Sequence, residues 1–214
     1  WSSDVCSSDL DAIIHVLRCF EDDDITHVEG SIDPVRDAGT VETELMLADL
    51  DSMEKRIVQI EKKAKAGDKE AKAQFVVMEK VLNALREGKP ARSVEISDEN
   101  EEKILKSLFL LTTKPVLYVC NVDEASAATG NAYSKQVFDY AAQESNQAVI
   151  ISAAIEAEVA QLTDPNEQKE FLETLNLKET GLNRIIKAGY HLLDLLTFFT
   201  SGPKEAHAWT VKKG

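Results

Sequence analysis

The chain has 214 residues, 24 of them Lys or Arg and 38 Asp or Glu, for a formal net charge of −14. That length holds one or two domains, and that charge disfavours a protein that coats nucleic acid generally. No apolar run reaches membrane-spanning length, and three cysteines, Cys6, Cys19 and Cys120, without metal-ligand spacing suit a reducing cytosol rather than a disulfide framework.

Residues 1–10, WSSDVCSSDL, are too polar for a signal peptide. They resemble the peptide produced when sequencing-adapter DNA is translated, and are set aside as a non-native leader. Ala12 to Phe20 reads as a buried strand carrying Cys19. Next, Met46, Leu50, Met53, Ile57, Ile60 and Ala64 alternate spacings of four and three, and Ala71, Phe75, Met78, Leu82 and Leu85 repeat the pattern. Two such heptad seams, with Gly67-Asp68 between them as turn and N-cap, predict an antiparallel helical coiled coil. Ser97 is expected to cap a further helix, with Asp98, Glu99, Glu101 and Glu102 set against the dipole of its first turn. Ile104, Leu105, Leu108 and Leu111 form its apolar side.

The hairpin's charge opposes that of the whole. From Glu54 to Lys72, seven basic residues (Lys55, Arg56, Lys62, Lys63, Lys65, Lys69, Lys72) face four acids. A basic tip carrying Lys62, Lys63, Lys65 and Lys69 can contact an RNA backbone. The competing reading is a solvated helix face with i,i+4 pairs such as Glu61–Lys65.

Pro115 to Cys120 is a short β-branched and aromatic run that predicts a buried parallel strand. Asn121-Val122-Asp123-Glu124 follows it directly. An Asn-x-x-acid tetrapeptide in this place is where G-protein-like NTPases read the nucleotide base. They usually have Lys second and Asp last; here Val and Glu stand there. The extra methylene moves the carboxylate by more than roughly 1 Å, enough to spoil a paired acceptor for guanine. Tyr133, Val137, Tyr140 and Ala141 have helical spacing, and Ala148 to Ile151 predicts a second buried strand ending in Ser152-Ala153-Ala154. Two loops at the carboxyl ends of successive parallel strands fit the rule for ligand sites in open α/β sheets. Leu182 to Phe199 predicts a helix with Leu182, Ile185, Ile186, Gly189, Leu192, Leu193 and Leu196 on one face. Gly202-Pro203 marks a break, and Trp209 reads as an edge-strand core aromatic.

These blocks carry a resemblance. Ile14-His15-Val16-Leu17-Arg18-Cys19-Phe20, Glu44 to Asp51, Asn121 to Glu124, Gly181-Leu182-Asn183-Arg184-Ile185-Ile186 and Ala208-Trp209-Thr210 resemble the YchF or Obg-like ATPase family, related to the Obg translation-factor NTPases. The resemblance runs from about Asp11 to Gly214. It implies an α/β fold: a partial P-loop NTPase (G-domain-like) parallel sheet, an inserted coiled-coil hairpin, and the start of a TGS-type β-grasp domain. The expected divisions are 1–10 leader, 11–41 G domain, 42–112 helical insertion, 113–199 G domain with both base loops and a C-terminal helix, and 200–214 β-grasp.

By the same resemblance, Asn121, Val122, Glu124, Ser152 and Ala153 sit at the base, and Asn-x-x-Glu accompanies a preference for ATP over GTP. The implied protein is a monomeric, cytoplasmic ATPase linked to ribosomes. Mg²⁺-assisted hydrolysis would proceed by positioning and electrostatics. No Gly-x-x-x-x-Gly-Lys-Ser/Thr occurs: Gly88-Lys89 runs into Pro90, and Gly67 into Asp68. The residues expected for phosphate and metal are therefore not among these 214, and the chain is expected to be a piece lacking the family's first third and most of its β-grasp domain. No catalytic residue is assigned. Two alternatives stand beside this reading: a GTPase with a degenerate base motif, and a non-catalytic ribosome or RNA module built on the basic hairpin.

Overall fold

The computed structural model describes residues 10–22, 31–203 and 205–213. Residues 1–9 of the expected leader lie outside them, as does 23–30. The chain divides into two compact units, one holding Gly39–Pro115 and the other Ala12–Ala38 with Val116–Gly214.

In the second unit, β1 (Ile13–Arg18), β2 (Val116–Asn121) and β3 (Gln147–Ile151) form a parallel sheet in the order β1-β2-β3. The register sets Arg18 against Asn121 and Asn121 against Ile151, so all three carboxyl ends lie side by side. β2 is buried from Val116 to Cys120, as its apolar run requires. β3 is only half-buried throughout, because among the described residues it is an edge strand. The expectation of a second fully buried strand is corrected on that ground.

Helix α4 (Ala132–Gln143) crosses from β2 to β3, and a capping box of Asn131 and Ser134 starts it. Val137 and Ala141 pack with Tyr118, Cys120, Leu17 and Cys19 in one apolar cluster. Three further helices follow: α5 (Ala153–Val159), α6 (Pro165–Thr174) and α7 (Gly181–Leu192). Ile155, Val159, Leu172 and Leu177 join the same cluster. Cys19 and Cys120 are both buried and free.

Helix α7 ends sooner than the leucine spacing predicts. Leu193 is its C-cap, Asp194 takes φ 51°, and strand β4 (Leu195–Ser201) begins at once. Leu196 therefore belongs to a strand, and residue 200 lies inside it. The run Thr197-Phe198-Phe199-Thr200 is β-branched and aromatic, which favours a strand. β4 pairs antiparallel with β5 (Ala206–Lys212), Phe198 opposite Trp209. Gly202 donates its N–H to the Glu205 carbonyl at 2.9 Å, so Gly202-Pro203 lies in this hairpin's turn rather than before it. Trp209 is 51% exposed and donates to Thr200 Oγ1 at 2.8 Å; it is not a core residue of this chain.

Helix α1 (Pro34–Lys65), which belongs to the first unit from Gly39 onward, and α2 (Lys69–Arg86) are joined by a tight turn with Gly67 at φ 99°. Asp68 caps α2, accepting from the N–H groups of Glu70 and Ala71. Met53 of α1 and Met78, Leu82 and Leu85 of α2 share one cluster, flanked by Met46, Leu50, Ile57 and Ile60. Arg86 reaches back to Glu54 at 2.8 Å. On α2 the buried stripe is wider than a two-position seam. Val77 and Val81 are fully buried while Phe75 is only half-buried, because α3 (Glu99–Ser107) also packs there.

The cap of α3 is Asp98, not Ser97. Asp98 accepts from Glu101 N–H at 2.8 Å, one half of a capping box, while Glu101 turns back to accept from Ser97 N–H at 2.9 Å, one residue before the cap. At the hairpin's base, buried Asp49 accepts from Leu111 N–H, Thr112 N–H and the Thr112 hydroxyl at 2.9, 2.8 and 2.6 Å.

Candidate functional site

The carboxyl ends of β2 and β3 bring the two expected base loops together. Ala153 donates its N–H to Asn121 Oδ1 at 2.9 Å. An N–H can bond only to the oxygen of the amide, so this contact fixes which way the Asn121 side chain faces. Its Nδ2 group is left with no partner among the described residues. Val122 donates its N–H to the Ile151 carbonyl at 2.9 Å, and its side chain is buried in the core. Val122 therefore holds the first loop to the second and has only its carbonyl to offer a ligand.

The two acidic residues of the tetrapeptide behave differently. Asp123 caps a short 3₁₀ turn over Glu124–Ser126, accepting from Ser126 N–H at 2.8 Å and the Ser126 hydroxyl at 3.0 Å. Glu124 is exposed and its carboxylate has no partner among the described residues. Ser152 stands before α5 in the N-cap position, but its hydroxyl makes no cap bond. That oxygen is buried and unpartnered, a costly state that a ligand's polar group would relieve. Asn121, Glu124, Ser152 and Ala153 thus gather at one sheet end: a fixed amide donor, a free carboxylate and an unspent hydroxyl.

The far side of the loop is tied down as well. Gly130 takes φ 76°, and a Cβ there would stand 2.7 Å from Ser134 Oγ and 2.8 Å from Ile150 Cδ1. Asn131 Nδ2 donates to the Cys19 carbonyl at 2.6 Å. Tyr133 donates its hydroxyl to Glu21 at 2.6 Å, which raises the phenol above its ordinary pKa. Beneath Asn121, the contact with Cys19 and then burial push the Cys120 thiol far above its usual range. Among the described residues no cluster of three or more His, Cys, Asp or Glu could hold a metal ion.

Sequence reading missed the division of labour between Asp123 and Glu124, although Asp-x-x-Ser is a legible cap spacing. It also missed Asn131, whose partner lies 112 positions away.

The basic candidates lie on the other unit. Lys62, Lys63, Lys65 and Lys69 are all exposed around the turn between α1 and α2. Lys65 pairs with Glu61 at 2.5 Å, the i,i+4 contact expected of a solvated face. Lys62, Lys63 and Lys69 make no ion pair among the described residues.

No family model matches the chain. Individual proteins do. The ribosome-binding ATPase YchF of Bacillus subtilis is 47% identical over 207 residues, which cover 96% of this chain and 56% of that protein. The ribosome-binding ATPase YchF of Haemophilus influenzae is 50% identical over 206 residues, with the same two shares. The chain belongs to the YchF family. The solved structure of the Schizosaccharomyces pombe YchF GTPase superposes with a TM-score of 0.81 at 32% identity, covering 97% of this chain and 56% of that one. This YchF chain therefore spans just over half the length of the relatives it matches. Two of these relatives are named ATPases and one a GTPase, so family membership does not decide the base.

Proposed function

We propose that this chain carries the base-reading part of a nucleotide-hydrolysing YchF protein, and that the base it reads is adenine. The observation that carries this reading is the Asn121–Ala153 bond, which occupies the amide oxygen and leaves Nδ2 as a free donor in the same loop as the unpartnered Glu124 carboxylate. Adenine presents an acceptor at N7 next to a donor at its 6-amino group; guanine presents two acceptors along that edge. A donor and a carboxylate in one loop complement the first pattern. The buried Ser152 hydroxyl supports a ligand at the same place, and Val122 contributes by fastening the loops.

ATP is thus the cofactor this site fits. Bound ATP would supply the phosphoanhydride to be cleaved, and these residues would hold and orient its base. The Mg²⁺ that accompanies ATP finds no ligand cluster among the described residues, so these side chains are assigned no metal chemistry. The whole protein would work in the cytoplasm at the ribosome, a reading supported by relatives named ribosome-binding ATPases. Three unpaired lysines at the hairpin turn favour a contact with ribosomal RNA by Lys62, Lys63 and Lys69, with Lys65 shared with Glu61.

The test is a titration of the ¹⁵N-labelled chain with ATP, GTP and tripolyphosphate. ATP is expected to move the Asn121 side-chain amide and Ala153 N–H at about millimolar concentration, roughly −4 kcal/mol. GTP should do so more weakly and tripolyphosphate not at all. Equal responses to both nucleotides would reject the adenine assignment, and no response at Asn121 and Ala153 would reject the site.

A further inference from the structure

The second base loop is short of support from its own helix. α5 has only 7 residues, and Ser152 gives it no side-chain cap. A helix of that length has little stability of its own. Its position is held instead by α7, which starts 25 residues beyond Glu156. Glu156 Oε1 accepts the Gly181 N–H at 2.6 Å and Oε2 accepts the Leu182 N–H at 3.1 Å. Thr180 Oγ1 accepts from Asn183 N–H at 3.2 Å. One carboxylate from α5 thus satisfies two of the N–H groups that the first turn of α7 would otherwise leave open.

Two further contacts press the same turn onto the end of β3. Arg184 donates to the Ile150 carbonyl at 3.0 Å. Gly181 lies so close to Ile151 that a Cβ there would stand 2.8 Å from Ile151 Cγ2 and 3.0 Å from Glu156 Oε1. Ile150 and Ile151 lead directly into Ser152 and Ala153, and Ile151 also accepts the Val122 N–H at 2.9 Å. The first turn of α7 therefore grips the peptide on both sides of the second base loop.

We infer that Glu156, with Gly181 and Arg184, is a positioning residue of the base site: it holds Ala153 where its N–H orients the Asn121 amide. This rests on the reading of Asn121 and Ala153 as base contacts, and the experiment separates the two.

Amide hydrogen exchange is measured on the ligand-free chain as wild type, Glu156→Ala and Glu156→Gln, and each is then titrated with ATP. Glu156→Ala is expected to speed exchange at Ala153 roughly tenfold, about the net worth of one hydrogen bond. Val119 and Val137 should keep wild-type protection, and the ATP response at the Asn121 side chain should weaken. Glu156→Gln keeps one oxygen for Gly181 and should restore most of both. Should Glu156→Ala fail to fold, Gly181→Ala disturbs the same grip by pushing on Ile151, and the same selective loosening of Ala153 is expected. Unchanged Ala153 exchange with Gly181 and Leu182 freed would overturn the inference, because the carboxylate would then serve α7 alone. Loosened Ala153 in a chain whose wild type never responds to ATP would uphold the positioning role and reject the base site.

Discussion

Adjacent carboxylates in the loop after β2 have different employments. Asp123 is spent on Ser126, while Glu124 is free. The contrast gives a test at the level of single side chains. Asp123→Ala removes a cap, a loss of about 1 kcal/mol; it should loosen the turn and weaken ATP and GTP alike. Glu124→Asp keeps the charge and shortens its reach, so the ATP/GTP ratio should fall, because polar sites discriminate by pairing geometry. Affinities for both nucleotides read from NMR titrations decide it; an unchanged ratio would move base choice to Ser152 and Ala153. The tetrapeptide was legible in the sequence because it is contiguous and follows a strand. Nothing contiguous marked Glu156 or Asn131, because their partners come from other elements.

Whole elements differ in legibility for the same reason. The hairpin seam is local and periodic, so Met53, Met78, Leu82 and Leu85 could be assigned to the core from spacing alone. The end of α7 could not, because Leu192, Leu193 and Leu196 keep helical spacing across a helix-to-strand change. Two predictions belong to the hairpin unit. Hydrogen bonds from Lys80 and then from Ser97 N–H hold Glu101 below the usual carboxylate range. A depressed carboxylate contributes stability above its unfolded pKa, about 4.3, and loses it as pH falls through the folded value. Thermal melts from pH 7 downward should show an acid-side decline that Glu101→Gln reduces; identical slopes would mean that other carboxylates dominate. At the turn, reversing Lys62, Lys63, Lys65 and Lys69 to Glu should weaken co-sedimentation with ribosomes. The difference from wild type should shrink as salt rises, as phosphate contacts do. Equal pelleting at low salt would leave the solvated-face reading standing.

At the scale of the whole molecule, the two units carry different risks. The hairpin unit closes its cluster with neighbours near in sequence, a low-contact-order arrangement that forms readily. The sheet has β1 at an edge: among the described residues no strand meets its outer side, and Ile14 and Val16 are 54% and 60% exposed. Not every apolar side chain of β1 lacks neighbours. Leu17 does not, because alternation along β1 turns it into the core. The liability narrows to Ile14, Val16 and the backbone edge beside them, an apolar template for association between copies. The purified chain is therefore expected to self-associate with rising concentration while its helical signal persists. Val16→Lys should restore a monomer on sedimentation, since a charge on an edge strand opposes pairing. Hydrogen exchange adds the deciding measurement: weak protection at Val149–Ile151 is expected beside firm protection of Val77–Leu82. A monodisperse wild-type chain with strong protection across Val116–Val119 and Val149–Ile151 would show that three strands suffice, and that the β1 edge is tolerated by the fold.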